Sequence, residues 1–179
     1  VMGACPQHTF QILTKRPERV EAVLYGKEGN WILRGNYWYP NIWIGFSAED
    51  QKTFNSRWQV FGKWAYAMNL FCSLEPLLGP ITATFEHDTV RLMWVIVGGE
   101  SGPMARPCDI SWISSIRDQC KDAGVACFIK QLGRYAGIGH ETNYGQGYTI
   151  IPMGGIRDRK GGDWNEWPDD LRVREFPDK

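Results

Sequence analysis

Five short apolar runs recur along the chain about thirty residues apart, at 10–13, 42–46, 70–74, 94–97 and 126–129. Each is too short for a helix, and a run that stays apolar on successive residues marks a strand covered on both faces, as in parallel sheets. Three of the five are followed by helical spacing. Pro17 sits in a first turn, where its missing N–H is tolerated, and Val20, Val23 and Leu24 give that helix an apolar side. Phe54, Trp58, Phe61 and Trp64 repeat every three or four residues, with Gly62 as a weak point. Ile110, Ile113, Ile116 and Cys120 do the same, with Asp109 or Ser111 as N-cap and Gly124 as the stop.

Strand followed by helix, repeated, predicts an α/β protein with a parallel sheet, arranged as a partial (β/α) barrel over residues 1–133. Pro76 and Pro80 keep a helix from following the third strand at once, so residues 81–92 are expected to detour through a strand pair or a turn. Residues 27–40 read as an irregular insertion. From Arg134 the period is lost among glycines, prolines and charges, which predicts a loop-rich extension, 134–179, packed on the barrel through residues such as Ile150, Ile151, Trp164 and Trp167.

The polar residues at the ends of the apolar runs carry the functional expectation. Lys15 and Arg16, Glu49, Glu75, Glu100 and Ser101, and Lys130-Gln131 each follow a strand's last apolar position. In a parallel sheet those positions share one edge, so they are expected to line one mouth. Gly98-Gly99 before Glu100 and Gly102-Pro103 after it suit close backbone approach to a ligand, and Arg106 lies just beyond. Lys15 and Arg16 suit an anion such as a carboxylate or phosphate, and Lys130 suits a proton donor or a cation for substrate.

Composition narrows this only in part. Twenty Lys and Arg balance twenty Asp and Glu, so no global field draws the chain to nucleic acid, and such binding would need a local patch, for which Arg157, Arg159 and Lys160 are the candidate. No apolar run is long enough to span a membrane and no signal-peptide layout opens the chain, so a cytoplasmic location is expected. Cys5, Cys72, Cys108, Cys120 and Cys127 lack the spacing of a zinc or iron–sulfur site and read as reduced thiols, mostly in the core. No metal ligands are expected within this chain. It opens Val-Met-Gly and reaches a strand by Phe10, as a fragment lacking an amino-terminal part would.

The runs HTFQILTKRPERV, NIWIGFSAEDQ, SLEPLLGPI, WVIVGGESGPMARP and IRDQCKDAGVACFIKQLG, with the closing DWNEWP, together resemble an uncharacterised family of phage and bacterial proteins over about Gln7 to Pro168. Full-length members of that family carry, upstream of the present start, a three-cysteine loop similar to the cluster loop of radical S-adenosylmethionine enzymes. The resemblance implies that strands two to six of a six-unit partial barrel are present here. It implies S-adenosylmethionine and a 4Fe–4S cluster as cofactors of the full-length protein, with the cluster ligands absent from this chain. Ile96 and Gly98 partly resemble the strand that packs against adenine, although Trp94 stands where a glycine is usual, and Ser73 and Glu75 fall where the ribose is held. Gly99 and Ser101 join this cofactor-binding set, and Lys15, Arg16, Arg106 and Gln131 face the substrate. The first strand here ends in Thr14-Lys15-Arg16, where the glycine-glycine-glutamate-like motif for the methionine amino group is expected.

On this reading the full-length protein is radical S-adenosylmethionine-like, Glu100, Lys130 and Glu49 do the chemistry, and this chain alone is inert. A hydrolase using Glu49, Glu75 and Glu100 as acid and base is the second enzymatic expectation. A phage-associated module that binds nucleic acid or protein through the aromatic insertion and the 157–160 loop is the third.

Overall fold

The structure is a computed structural model and describes residues 1–25, 33–34, 37–62, 68–87, 90–141 and 148–177. In chain order the elements are β1 (Phe10–Thr14), α1 (Pro17–Tyr25), β2 (Leu33–Arg34), β3 (Tyr37–Trp38), β4 (Ile42–Ser47), α2 (Gln51–Gly62), β5 (Asn69–Leu74), β6 (Glu86–His87), β7 (Val90–Gly98), β8 (Cys108–Asp109), α3 (Ile110–Ala123), β9 (Ala126–Gln131), β10 (Ala136–Glu141) and β11 (Tyr148–Pro152). The five expected strands form one parallel sheet in sequential order, β1-β4-β5-β7-β9. Their carboxyl ends therefore share one edge. No helix among the described residues is long and apolar enough to cross a membrane.

The three α-helices cover one face of the sheet. Ile44, Phe46, Cys72, Leu74, Val95, Val97, Cys127 and Ile129 meet Phe54, Trp58 and Phe61 of α2 and Ile113, Ile116 and Cys120 of α3 in a single core. Phe46 is its aromatic centre, stacked on Trp58 at 6.1 Å and close to Phe54 and Phe61 at 5.8 and 5.3 Å. Helix α3 starts as its sequence predicts: Asp109 Oδ1 accepts from Ser111 N, and Gly124 closes it at φ 64°. Trp64 and Gly26 lie outside the described residues.

The other face is aromatic. Trp43, Phe71 and Trp94 are buried there with Ile96 and Phe128 packed beside them. Trp94 is thus an anchor of this face, in edge contact with Trp43 at 6.4 Å and Phe128 at 6.0 Å, and its indole N–H donates to Glu175 O at 3.0 Å. That filling leaves the polar strand ends above it as the accessible part of this face.

Two expectations are corrected. The insertion at 27–40 contains a short antiparallel pair, β2 with β3, and the rest of it largely lies outside the described residues. The extension from Arg134 is not loop-rich throughout: β10 pairs with β11 antiparallel and with β8 in parallel. Its alternation is hidden because β10 carries glycine at alternate positions; a Cβ at Gly137 would lie 2.2 Å from Ile151 O. Trp167 and Leu171 are buried in the main core and Trp164 packs against it, whereas Ile151 is exposed. The detour after β5 is the expected strand pair, β6 against the start of β7.

Candidate functional site

Parallel register brings the strand ends into rows. Ser47, Ser73, Ile96 and Phe128 are successive partners across β4, β5, β7 and β9. Just past this row the mouth is a set of carboxylates, each matched by a cation. Lys15 Nζ lies 3.2 Å from Glu49 Oε1, and Arg57 Nη1 lies 3.0 Å from Glu49 Oε2. Ser73 Oγ donates to Glu75 Oε2 at 3.0 Å, and Lys130 Nζ stands 3.4 Å from the same carboxylate. Arg106 binds Glu100 with both prongs, Nε at 2.7 Å and Nη2 at 2.9 Å, and its backbone N–H adds a bond of 2.8 Å.

Those partners set the protonation states. Partial burial pushes the Glu49 carboxyl up, but Lys15 and Arg57 together outweigh it and hold the group below its ordinary range. The Arg106 side-chain fork, then its backbone N–H, hold Glu100 down at about 2 against its usual 4.5. Arg106 is itself raised, first by Glu100 and in a smaller part by Glu49. Because the Glu100 pKa is depressed, the pairing is in place above about pH 4.5 and is lost only as pH falls through about 2. An NMR titration of the Glu100 carboxyl is expected to show a midpoint near 2, returning toward 4.5 in Arg106→Gln. A wild-type midpoint near 4.5 would mean that the fork is open in solution.

The remaining expected residues divide by what holds them. Gly98 and Gly99 are buried, and Gln131 Nε2 donates to Gly99 O at 2.8 Å, so that amide braces the loop. Ser101 and Arg16 are exposed, and Ile96 is half-buried on the aromatic face. The sequence reading passed over two mouth residues. Arg57 reaches back from α2 to Glu49 and to the Ser47 carbonyl. Ser47 is 3% exposed, and its Oγ has no hydrogen-bond partner among the described residues. The signal for Arg57 is its place two turns into the helix after a strand that ends in a glutamate; for Ser47 it is a hydroxyl closing an otherwise apolar strand.

Two cavities of about 570 and 610 Å³ lie along α3 rather than at the strand ends. The first is lined by Arg117, which Asp118 and Asp170 already neutralise. The thiols do not assemble into a metal site. Cys72, Cys108, Cys120 and Cys127 are free and buried in the core shared with the helices, and Cys5 is half-buried near the start of the chain. Among the described residues no group of three or more His, Cys, Asp or Glu is arranged to hold a metal ion.

Sheet and strand-end cluster together define an α/β protein with a charged mouth at the carboxyl edge of a sequential parallel sheet. Its family is shown by sequence: the chain belongs to the protein family of unknown function DUF5131, which it matches over residues 1–163. No curated protein and no solved structure is significantly similar to it.

Proposed function

We propose that the mouth binds the nucleoside part of S-adenosylmethionine, in a radical S-adenosylmethionine-like phage or bacterial protein whose partial barrel is completed by a further βα unit beside β1. The observation that carries the reading is Ser47: a buried, unpartnered hydroxyl in register with Ser73, next to the Ser73–Glu75 pair. A buried hydroxyl without a partner costs free energy that a ligand's hydroxyls would recover. The two sheet edges support the further unit. The edge of β9 is closed by the carboxyl-terminal tail, whereas β1 has no strand partner on its outer side among the described residues and leaves Leu13 51% exposed.

The residues of this chain do not fit an iron–sulfur cluster, since four of its five thiols lie in the core and no group of three or more His, Cys, Asp or Glu among the described residues is arranged to hold a metal. The cluster ligands belong to the proposed unit. Glu75 and Ser73 would hold a ribose, and Lys130, Lys15 and Arg16 would face the substrate. A protein extended upstream of Val1, reconstituted anaerobically with iron and sulfide, is expected to show cluster absorbance and to bind S-adenosylmethionine. Glu75→Gln is expected to weaken that binding about tenfold without changing the absorbance. No cluster absorbance in the extended protein would end the reading.

The hydrolase reading is weaker on chemical grounds. Glu49 and Glu100 are both held ionised by their cations, so neither holds a proton to give at neutral pH.

A further inference from the structure

The turn after β11 closes a small cavity against the segment that follows β9. It measures about 240 Å³, and its lining includes Arg134, Tyr135, Met153, Ile156, Arg157 and one carboxylate, Asp158. Arg57, Arg106, Arg117 and Arg172 are each matched by a carboxylate. The two arginines here are not. Arg134 Nε is buried without a hydrogen-bond partner among the described residues, and its guanidinium lies 5.5 Å from the Tyr135 ring centre. Arg157 uses its backbone N–H, donated to Glu166 Oε2 at 2.8 Å, while its guanidinium has no ion pair or hydrogen bond among the described residues.

The lining carboxylate is engaged by backbone N–H groups. Asp158 Oδ2 accepts from the Gly162 and Lys160 backbone N–H groups at 2.7 and 3.0 Å, which hold it below the ordinary carboxylate range. It shapes the turn and does not neutralise the arginines. Arg159 and Lys160 are exposed on the same turn but do not line the cavity.

We propose that Arg134 and Arg157 form a binding site for a phosphoryl group. Two guanidinium groups present paired N–H donors that match an oxyanion, and one of them already has a buried donor without an acceptor. The volume falls below the 300–1,000 Å³ usual for whole small-molecule sites, so the cavity suits a phosphoryl group whose parent molecule extends outside it. The parent has two natural sources, a mononucleotide or a nucleic-acid strand, and the exposed Tyr135 offers a ring for a base in either case. The site adjoins the mouth, because Arg134 N donates to Glu100 O at 2.9 Å.

The test is calorimetric titration of the full chain with inorganic phosphate, a 5′-mononucleotide, a short single-stranded oligonucleotide and acetate. Saturable binding of the mononucleotide is expected, weakened about tenfold by Arg157→Gln and by Arg134→Gln, and unchanged by Arg159→Gln. Arg157 is exposed, so its variant keeps the fold even if Arg134→Gln does not. Tighter binding of the oligonucleotide, lost in the same variants, assigns the source to nucleic acid; equal affinity assigns it to a small phosphoester. No binding, wild-type affinity in Arg157→Gln, or acetate competing as well as phosphate would overturn the site. None of these measurements involves a cluster, so failure here leaves the cofactor reading standing, and failure of that reading leaves this site.

Discussion

Gly99→Ala is expected to destabilise the protein by about 3 kcal/mol, at the upper end of what overpacking costs, and to lower the melting temperature by roughly 6–12 °C at this chain length. An added Cβ would lie 2.1 Å from Leu132 O, 2.8 Å from Leu132 C and 2.9 Å from Gly133 Cα. All three are backbone atoms, and they cannot swing aside as a side chain would. Leu132 N donates to Gly161 O, Gly99 N to Gln131 O, and Arg134 N to Glu100 O, at 2.9, 3.1 and 2.9 Å. Gly133 and Gly161 complete the stack at φ 99° and 63°, with a Cβ on Gly161 meeting Gly133 O at 2.4 Å. Three glycine backbones thus pass one another where the mouth loop crosses the end of β9.

The substitution has a readout beyond stability. Forcing the loop away from β9 moves Glu100 off Arg106, so the Glu100 midpoint is expected to climb from about 2 toward its usual 4.5. Gly154→Ala is the control, since a Cβ there meets nothing within 4 Å. It is expected to stay within about 0.5 kcal/mol of wild type. A Gly99→Ala protein that melts with the wild type and keeps the low Glu100 midpoint would show that β9 yields at no cost.

How much of this was legible in the sequence depends on what each residue answers to. The five strands were readable as unbroken apolar runs because both faces are covered, Ile44, Phe46 and Val95 by the helices and Trp43, Phe71 and Trp94 by one another, and the helices because burial on one side, as at Ile113, imposes a period. The mouth glutamates were readable too, since chain order fixes where a parallel strand ends. Their partners were not. Arg57 follows Glu49 by two helical turns and Lys130 follows Glu75 by 55 residues, and neither spacing differs from that of a solvated charge. Gly98-Gly99 read as room for a ligand, but the space beside Gly99 is filled by the protein's own backbone. The extension was least legible. Gly137 and Gly161 each answer to a neighbouring backbone and Arg174 to a cluster of carbonyls and rings, and such particular contacts leave no periodic trace.

Truncation after Arg172 is expected to cost the most, about 4 kcal/mol and roughly 8–16 °C in melting temperature. Residues 173–176 run antiparallel along the outer edge of β9. Ile129 N donates to Val173 O at 2.9 Å and Glu175 N to Cys127 O at 2.8 Å, with Arg174 bridged to Phe128. The Glu175 carboxylate accepts from Cys127 N at 3.0 Å. The Arg174 guanidinium bonds the Ile129 and Lys130 carbonyls at 3.3 and 3.1 Å while lying 4.9, 5.4 and 5.5 Å from the Trp164, Trp167 and Phe128 rings. Phe176 then covers Trp94 and Phe128 at 5.5 and 5.3 Å. Each hydrogen bond is worth about 1 kcal/mol net and each cation–π contact about 0.5–1, less what water returns to the bared edge. Loss of the tail also uncovers a row of unpaired backbone groups, so the shortened chain is expected to self-associate with rising concentration in sedimentation velocity runs. Phe176→Ala, at a residue already 67% exposed, should cost only about 1 kcal/mol and leave the protein monodisperse. A truncated chain that melts within about 2 °C of wild type and stays monodisperse would show that the tail does not hold the edge of β9 in solution.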